Sequence, residues 1–173
     1  TGISAVRALE EETANFLQGR KTSDTGVYPH QIAFNLLPHI GSFDEEGISE
    51  EEWKMVHESR KIMNLPDLKV SGITVRVPIF RCHGESITVQ FKNKLTPQRA
   101  REVLASSPGI IVADAPQDNI YPQPILVAEK DEVYVGRIRR DTGLDNALAM
   151  WVIGDNLLKG AALNAVQIAE LFV

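Results

Sequence analysis

The residues with the clearest chemical potential lie together near the middle of the chain. Ten consecutive positions contain side chains that bind anions or exchange protons, namely Arg76, Arg81, Cys82, His83 and Glu85. An arginine presents a planar fork that fits a carboxylate, and a histidine can gain or lose a proton near neutral pH. A site that binds a small anionic metabolite and moves one of its protons requires this combination. Arg76 and His83 are therefore the leading candidates for a functional site.

The spacing within this stretch limits which of its residues can cooperate. Consecutive residues of a strand point to opposite faces, so His83 is not expected to activate the neighbouring Cys82 as a nucleophile. A buried structural thiol is the better interpretation of Cys82. Arg76 and His83 are an odd number of positions apart, so their convergence requires a turn between them, for which Pro78 is a suitable position. A purely structural histidine is the competing interpretation of His83.

Two further groups are weaker candidates when taken alone. Glu51 and Lys54 are three positions apart on a predicted helix and share one face, where a solvent-exposed ion pair is the simpler interpretation. Asn156 follows Gly154 and Asp155 directly before another predicted helix. That position attracts anions but is equally typical of a helix cap. No metal site is predicted, because the remaining histidines have no partners at ligand spacing.

The composition indicates a globular protein and excludes several other classes. The chain has 173 residues, of which 43% are hydrophobic, and a net charge of −5. These values argue against a disordered chain, and the length predicts one self-supporting compact domain. Mild acidity weakens a nucleic-acid interpretation, and a single cysteine excludes an intrachain disulfide. Neither a membrane span nor a signal peptide is visible, so we expect a cytoplasmic protein without nucleic-acid or membrane partners.

Hydrophobic periodicity and capping signals predict the elements that must position these residues. Helices are predicted over residues 3–17, from the Ser49 cap to 63, from the Thr96 cap to 106, and over 156–172. Strands are predicted over residues 32–37, 68–77, 83–91, 110–113, 133–138 and 147–153. Because helices and strands do not alternate regularly, we predict an α+β fold with a mixed, mainly antiparallel sheet and helices packed on one face.

Several longer motifs, taken together, resemble a known family. They are F-N-L-L-P at 34–38, E-E-W-K at 51–54, V-R-V-P at 75–78, R-C-H-G-E at 81–85, V-G-R-I-R at 135–139 and D-N-L-L-K-G-A-A at 155–162. Their order and spacing over nearly the whole chain resemble the C-terminal half of aspartate-β-semialdehyde dehydrogenases. The resemblance implies a glyceraldehyde-3-phosphate dehydrogenase-like C-terminal domain. Residues 1–153 would form a substrate-binding and dimerisation domain, and residues 154–173 a C-terminal helix that packs on an upstream nucleotide-binding domain.

The resemblance also implies an activity and roles for individual residues. The family uses NADP chemistry to convert L-aspartyl-4-phosphate to L-aspartate 4-semialdehyde and phosphate, in the biosynthesis of lysine through diaminopimelate and of threonine and methionine. By position, His83 corresponds to the general acid/base and Arg76 to the arginine that binds the substrate carboxylate. Glu51 corresponds to the acid that meets the substrate amino group, Lys54 to a phosphate-binding lysine, and Asn156 to a cofactor contact. A homodimer through the face of the sheet is implied as well.

Departures from the family pattern lead to a second expectation. The family's nucleophilic cysteine lies in an upstream Asn-Cys segment to which Cys82 does not correspond, and the glycine-rich nucleotide site would also precede Thr1. We therefore expect the chain alone to be inactive. Two alternatives stay open, a stand-alone dimerisation or scaffolding module and a hydrolase in which His83 activates water. Acetyl-glutamyl-phosphate reductase is the nearest enzymatic alternative, and Glu51 weighs against it because that substrate has no free amine.

Overall fold

The chain begins with helix α1, Ile3–Leu17, where the apolar periodicity predicts it. The computed structural model describes residues 2–21 and 26–172. Contacts divide the chain into a first unit, Thr1–Phe80, and a second unit, Arg81–Val173. Each unit has its own hydrophobic core, so each is described separately.

The core of the first unit forms between α1 and the segment that follows it. Leu9 packs against Ile32, Ala33 and Leu37. Glu12 is buried beside this cluster, where its Oε2 accepts hydrogen bonds from the backbone amides of Ile32 at 2.7 Å and Ala33 at 2.9 Å. Two charge-assisted hydrogen bonds offset the cost of burying a carboxylate, so Glu12 fixes the segment to the helix.

Helix α2, Glu50–Ile62, has the predicted capping box at its start. The side chain of Ser49 accepts a hydrogen bond from the amide of Glu52, and the carboxylate of Glu52 accepts one from the amide of Ser49. Met63 ends the helix, as the sequence predicts. Local sequence alone determines this element, because both partners of the cap lie within one turn.

The strand predicted over 32–37 is wrong. Its first two amides are bound by Glu12 and are not available to a neighbouring strand. Phe34 has a φ of 58°, a left-handed conformation that breaks an extended segment. The residues are apolar because they cover α1, and their hydrogen bonds go to a side chain.

The strand predicted over 68–77 is also wrong. The amide of Thr74 donates to the Glu52 carboxylate at 2.8 Å, so this segment too is held by a side chain. Its pairing with the preceding segment is limited to one isolated antiparallel bridge, in which Arg76 and Leu37 exchange backbone hydrogen bonds of 3.0 and 2.8 Å. β-Branched residues fit the surface of a sheet, but they do not provide the neighbouring strand with which this segment would have to pair.

The second unit, within residues 81–172, contains a four-stranded sheet. Its strands are β1 His83–Gln90, β2 Ile110–Val112, β3 Val133–Arg140 and β4 Ala147–Gly154. The order across the sheet is β1-β4-β3-β2; β4 is antiparallel to β1 and β3, and β2 is parallel to β3. The predicted mixed, mainly antiparallel sheet and the α+β class are confirmed.

Helix α3, Pro97–Ala105, covers one face of this sheet and begins at the predicted Thr96 cap. Its Ala100 belongs to the same buried cluster as Val135 and Leu148 of the strands. A 3-10 turn at Pro116–Asp118 and the short helix α4, Pro124–Val127, follow β2.

The helix predicted over 156–172 is present but begins differently. A π-helical turn, Leu158–Ala162, comes first, and the α-helix α5 is Leu163–Glu170. The carbonyl of Asp155 accepts hydrogen bonds from the amides of Leu158 at 3.1 Å and Lys159 at 2.8 Å. The helical segment therefore starts from Asp155, at the end of β4.

Candidate functional site

Glu51 and Lys54 are in direct contact on α2. The Nζ of Lys54 donates a hydrogen bond of 3.2 Å to Oε2 of Glu51, so the predicted shared face is confirmed. This hydrogen bond, together with the charge of Glu51, raises the pKa of Lys54. Both side chains remain about half exposed, which leaves an ammonium and a carboxylate accessible to a ligand with complementary charges.

Arg76 lies in the same unit and is held from two sides. Its Nε donates to the carbonyl of His39 at 3.3 Å, and its guanidinium carbon lies 5.4 Å from the centroid of the Tyr28 ring. These contacts orient the fork while engaging only part of it. Within residues 2–21 and 26–172, no acidic side chain forms an ion pair with Arg76. The guanidinium can therefore receive an external carboxylate.

Glu52 connects the two parts of this group. One carboxylate oxygen caps α2, next to Glu51, and the other holds Thr74, two residues before Arg76. The hydrogen bonds from the backbone amides of Ser49 and then Thr74 lower the pKa of Glu52. The capping role of Glu52 was predictable from local spacing, whereas its second hydrogen bond had no signal in the sequence.

In the second unit, His83 and Asn156 lie at the same end of the sheet. His83 is the exposed first residue of β1 and is paired with Gly154, the last residue of β4. Asn156 follows two positions later, and its Oδ1 is buried without a hydrogen-bond partner among the residues described. A buried acceptor without a donor is costly, which marks this corner as suited to a donating ligand.

Cys82 is a structural residue, as predicted. Its side chain is buried with 5% exposure, and its Sγ lies 3.4 Å from the carbonyl oxygen of Pro124, to which it donates. Burial, followed by the charge of Asp155, raises the pKa of the thiol, while the charge of Arg81 partly opposes this. A protonated, inaccessible thiol is a poor nucleophile.

Arg81, which also belongs to the chemically rich stretch, is occupied by ion pairs. Its Nε lies 2.7 Å from Oδ2 of the fully buried Asp155, and its NH1 lies 3.0 Å from Oε1 of Glu129. Burial alone would raise the pKa of Asp155, but amide hydrogen bonds from Glu129 and Leu157 and the charge of Arg81 hold it below its ordinary value. Asp155 is therefore an ionised residue that anchors this corner, whereas its position in the sequence indicates only part of a possible helix cap.

Arg76 lies in the first unit and His83 in the second, so their convergence into one pocket stays a prediction.

Among the described residues no group of three or more His, Cys, Asp or Glu side chains could hold a metal ion. In the same part of the chain, no helix combines the length and apolar character that a membrane crossing requires.

Comparison with known proteins adds an independent observation. The family model described as semialdehyde dehydrogenase, dimerisation domain, matches residues 1–159. The aspartate-semialdehyde dehydrogenase of Aquifex aeolicus is 49% identical over 172 residues, which cover 99% of this chain and 51% of that protein. The aspartate-semialdehyde dehydrogenase of Legionella pneumophila is 44% identical over 172 residues, covering 99% and 49%. The chain thus spans about half the length of the curated relatives it matches.

The solved structures that the chain resembles are also aspartate semialdehyde dehydrogenases, and the chain again covers about half of each. The chain matches aspartate semialdehyde dehydrogenase II of Vibrio cholerae, complexed with ASA, with a TM-score of 0.93 and 37% identity, over 98% of this chain and 50% of that one. It also matches the aspartate semialdehyde dehydrogenase of Candida albicans with NADP, with a TM-score of 0.68 and 29% identity, over 84% and 46%.

Proposed function

Because this chain belongs to the semialdehyde dehydrogenase dimerisation-domain family, we propose that it is the substrate-binding and dimerisation part of an NADP-dependent aspartate-semialdehyde dehydrogenase. The resemblance found in the motifs is thereby confirmed at the level of the family. The observation that carries the proposal is 49% identity to such an enzyme over 99% of the chain. The reaction would be the reductive dephosphorylation of L-aspartyl-4-phosphate to L-aspartate 4-semialdehyde, in lysine, threonine and methionine biosynthesis.

The first unit supplies the groups that would bind the substrate. Arg76 receives the α-carboxylate, a role supported by a guanidinium that forms no ion pair with the described acidic side chains. Glu51 receives the α-amino group, and Lys54 binds the phosphate. Lysine is positively charged at neutral pH, and the ammonium of Lys54 is about half exposed, which supports this role. A ligand with two negative groups and one positive group is complementary to these three side chains.

The second unit supplies the proposed general acid/base, His83. Its position at the exposed start of β1 leaves the imidazole accessible to a reacting group. A histidine suits this role because its ordinary pKa lies close to neutral pH. The only cysteine of the chain, Cys82, is buried, so the nucleophilic cysteine of the family would lie outside these residues. We therefore expect the chain by itself to show no turnover.

NADP is the proposed cofactor, and Asn156 is the residue in this chain that would contact it. The buried Oδ1 of Asn156 has no donor among the described residues, and a carboxamide N–H or ribose hydroxyl would satisfy it. When bound in its reduced form, NADPH, the cofactor would supply the hydride. Asn156 orients it, and most other contacts would come from a nucleotide-binding domain.

A second copy of the chain and an upstream domain are the proposed protein partners. The matching family model is described as a dimerisation domain, which supports a homodimer. Residues 154–173 would pack on the nucleotide-binding domain, and residues 1–153 would form the remaining domain. The exposed apolar side chains of the C-terminal segment support this, namely Val166, Ile168, Leu171 and Phe172. A cytoplasmic location fits this biosynthetic role.

The test is an assay of the native protein that contains this chain. With aspartate semialdehyde, phosphate and NADP⁺, we expect NADPH formation. We expect His83→Asn to lower kcat by about 10²- to 10⁴-fold, the usual contribution of a positioned acid/base. His57→Asn is the matched control, since His57 is exposed and stacks on Trp53 with ring centroids 5.3 Å apart. Absence of wild-type turnover would refute the proposed reaction, and an unchanged kcat in His83→Asn would refute the role of His83.

A further inference from the structure

Asp155 is an ionised side chain without solvent exposure at the corner where β1, β4 and the C-terminal helical segment meet. Its Oδ2 accepts a hydrogen bond from the amide of Glu129 at 2.7 Å and lies 2.7 Å from Nε of Arg81. Its Oδ1 accepts one from the amide of Leu157 at 2.9 Å. The Nε of Arg81 has no hydrogen-bond partner among the described residues despite this short distance, so the contact with Asp155 is an ion pair without a well-aligned hydrogen bond. One carboxylate thus connects its own segment to the segments that carry Arg81 and Glu129.

The two members of this pair flank the two proposed site residues of the second unit. Arg81 is two positions before His83, and Asp155 is directly before Asn156. The first pair of the β1–β4 ladder, His83 opposite Gly154, lies between them. A shift of either charged residue would therefore move the backbone that carries His83 or Asn156.

The backbone between Arg81 and His83 needs such support. Cys82 has a φ of 78°, a left-handed conformation that is unfavourable for residues other than glycine or asparagine. Such a conformation persists only where the surroundings determine it. Here the Arg81 ion pair holds one side, and the hydrogen bond from Cys82 to Pro124 holds the other.

We propose that Arg81 and Asp155 are positioning residues, which fix the imidazole of His83 and the amide of Asn156 in one geometry at the end of the sheet. The inference rests on the proposed function and extends it to two residues that contact neither substrate nor cofactor. Arg81 is 28% exposed, whereas Asp155 is fully buried, so Arg81 is the member that tolerates substitution better.

The experiment compares Arg81→Gln, Asp155→Asn and Arg81→Lys in the native protein that contains this chain, at a temperature where circular dichroism shows each variant to be folded. Misplacement of a reacting group by about 1 Å can cost 10²-fold, so we expect Arg81→Gln and Asp155→Asn to lower kcat by about 10- to 100-fold and to raise KM for NADP⁺. KM for aspartate semialdehyde should stay within about threefold, because Arg76, Glu51 and Lys54 lie in the other unit. Arg81→Lys should recover part of kcat, because it keeps the charge.

Glu129→Gln is the matched control. Glu129 also pairs with Arg81, but its side chain is 78% exposed, and the amide that binds Asp155 is unaffected by the change. An exposed ion pair of this kind contributes little to holding Arg81 in place, so kcat of Glu129→Gln should equal that of the wild type.

Each outcome decides the inference. A purely structural role would reduce the amount of folded protein but not kcat per folded molecule, so variants with kcat within about twofold of wild type overturn the positioning role alone. If Asp155→Asn does not fold, Arg81→Gln decides by the same criterion. An inactive wild-type protein overturns the proposed function and this inference together. An active wild-type protein with equally active variants overturns only the positioning role, so the two failures can be distinguished.

Discussion

The carboxylate of Glu52 accepts a hydrogen bond from the backbone amide of Thr74, with 2.8 Å between Oε1 and the nitrogen. Its other oxygen, Oε2, accepts one from the amide of Ser49 at 2.9 Å. One side chain therefore fixes the start of the helix that carries Glu51 and Lys54 and also the segment that leads to Arg76. The capping box, a local device, here serves a tertiary contact.

The ionised Glu52 should make the stability of the protein depend on acidic pH. Hydrogen bonds from the amides of Ser49 and Thr74 lower the pKa of Glu52 below 4.5, its ordinary value. A lowered pKa in the folded state means that the stabilisation is present above the unfolded-state pKa and is lost as the pH falls through the folded-state pKa. We expect Glu52→Gln to lower the free energy of unfolding at neutral pH. On acidification, the free energy of unfolding of this variant should fall less than that of the wild type. Urea titrations at several pH values measure both effects.

Glu50→Gln is the control for this prediction, because Glu50 is exposed in the same turn of α2. It should leave the pH dependence close to that of the wild type. A Glu52→Gln variant whose stability falls with pH as steeply as that of the wild type would contradict the assignment.

Substitution of Arg76 by lysine, although it keeps the charge, should reduce the activity of the native protein. Lysine keeps the charge but loses the planar fork, the Nε contact with His39 and the stacking on Tyr28. A hydrogen bond to a charged group contributes about 1.5–3 kcal/mol, so we expect Arg76→Lys to reduce kcat/KM for aspartate semialdehyde by about 10- to 100-fold, mainly through KM. Steady-state kinetics of the native protein check this. Arg20→Lys, at an exposed position, should behave as the wild type, and equal KM values in both variants would argue against substrate binding by Arg76.

The thiol of Cys82 should be protected in the folded chain. Burial and the charge of Asp155 raise its pKa, and the reactive thiolate is therefore scarce at neutral pH. In the 173-residue chain, where Cys82 is the only cysteine, a thiol reagent should react at least about tenfold more slowly before than after unfolding in urea. Equal rates in the two states would show that the thiol is accessible and would reopen a chemical role for it.

Gly136 should not tolerate any side chain. A Cβ at this position of β3 would clash with the carbonyl oxygen of Ala113 and would lie 2.6 Å from Cδ of Pro122. Overpacking of this kind costs about 1–3 kcal/mol, and we expect a loss of this size in the free energy of unfolding for Gly136→Ala. Gly143→Ala is the matched control, since its Cβ would meet only Oδ1 of Asp141, at 3.6 Å. Equal stability of the two variants in urea titrations would contradict the packing around β3.

Local signals in the sequence determined most of the secondary structure. Helices α1, α2 and α3 and the four strands of the second unit lie close to their predicted positions, because periodicity and caps act over a few residues. The contact of Glu51 with Lys54 followed from a spacing of three on a helix. The motifs also sufficed to identify the family, since their order and spacing are read directly along the chain.

Only the tertiary structure decided where distant hydrogen bonds and charges go. Residues 32–37 and 68–77 have the composition of strands, but the carboxylates of Glu12 and Glu52 bind backbone amides that a sheet would have used. Arg81 lies in the same chemically rich stretch as Arg76, but its guanidinium is paired with Asp155, a residue much later in the chain. Periodicity reports which face of a segment is apolar, whereas the partner of a buried polar group depends on which segments meet in space.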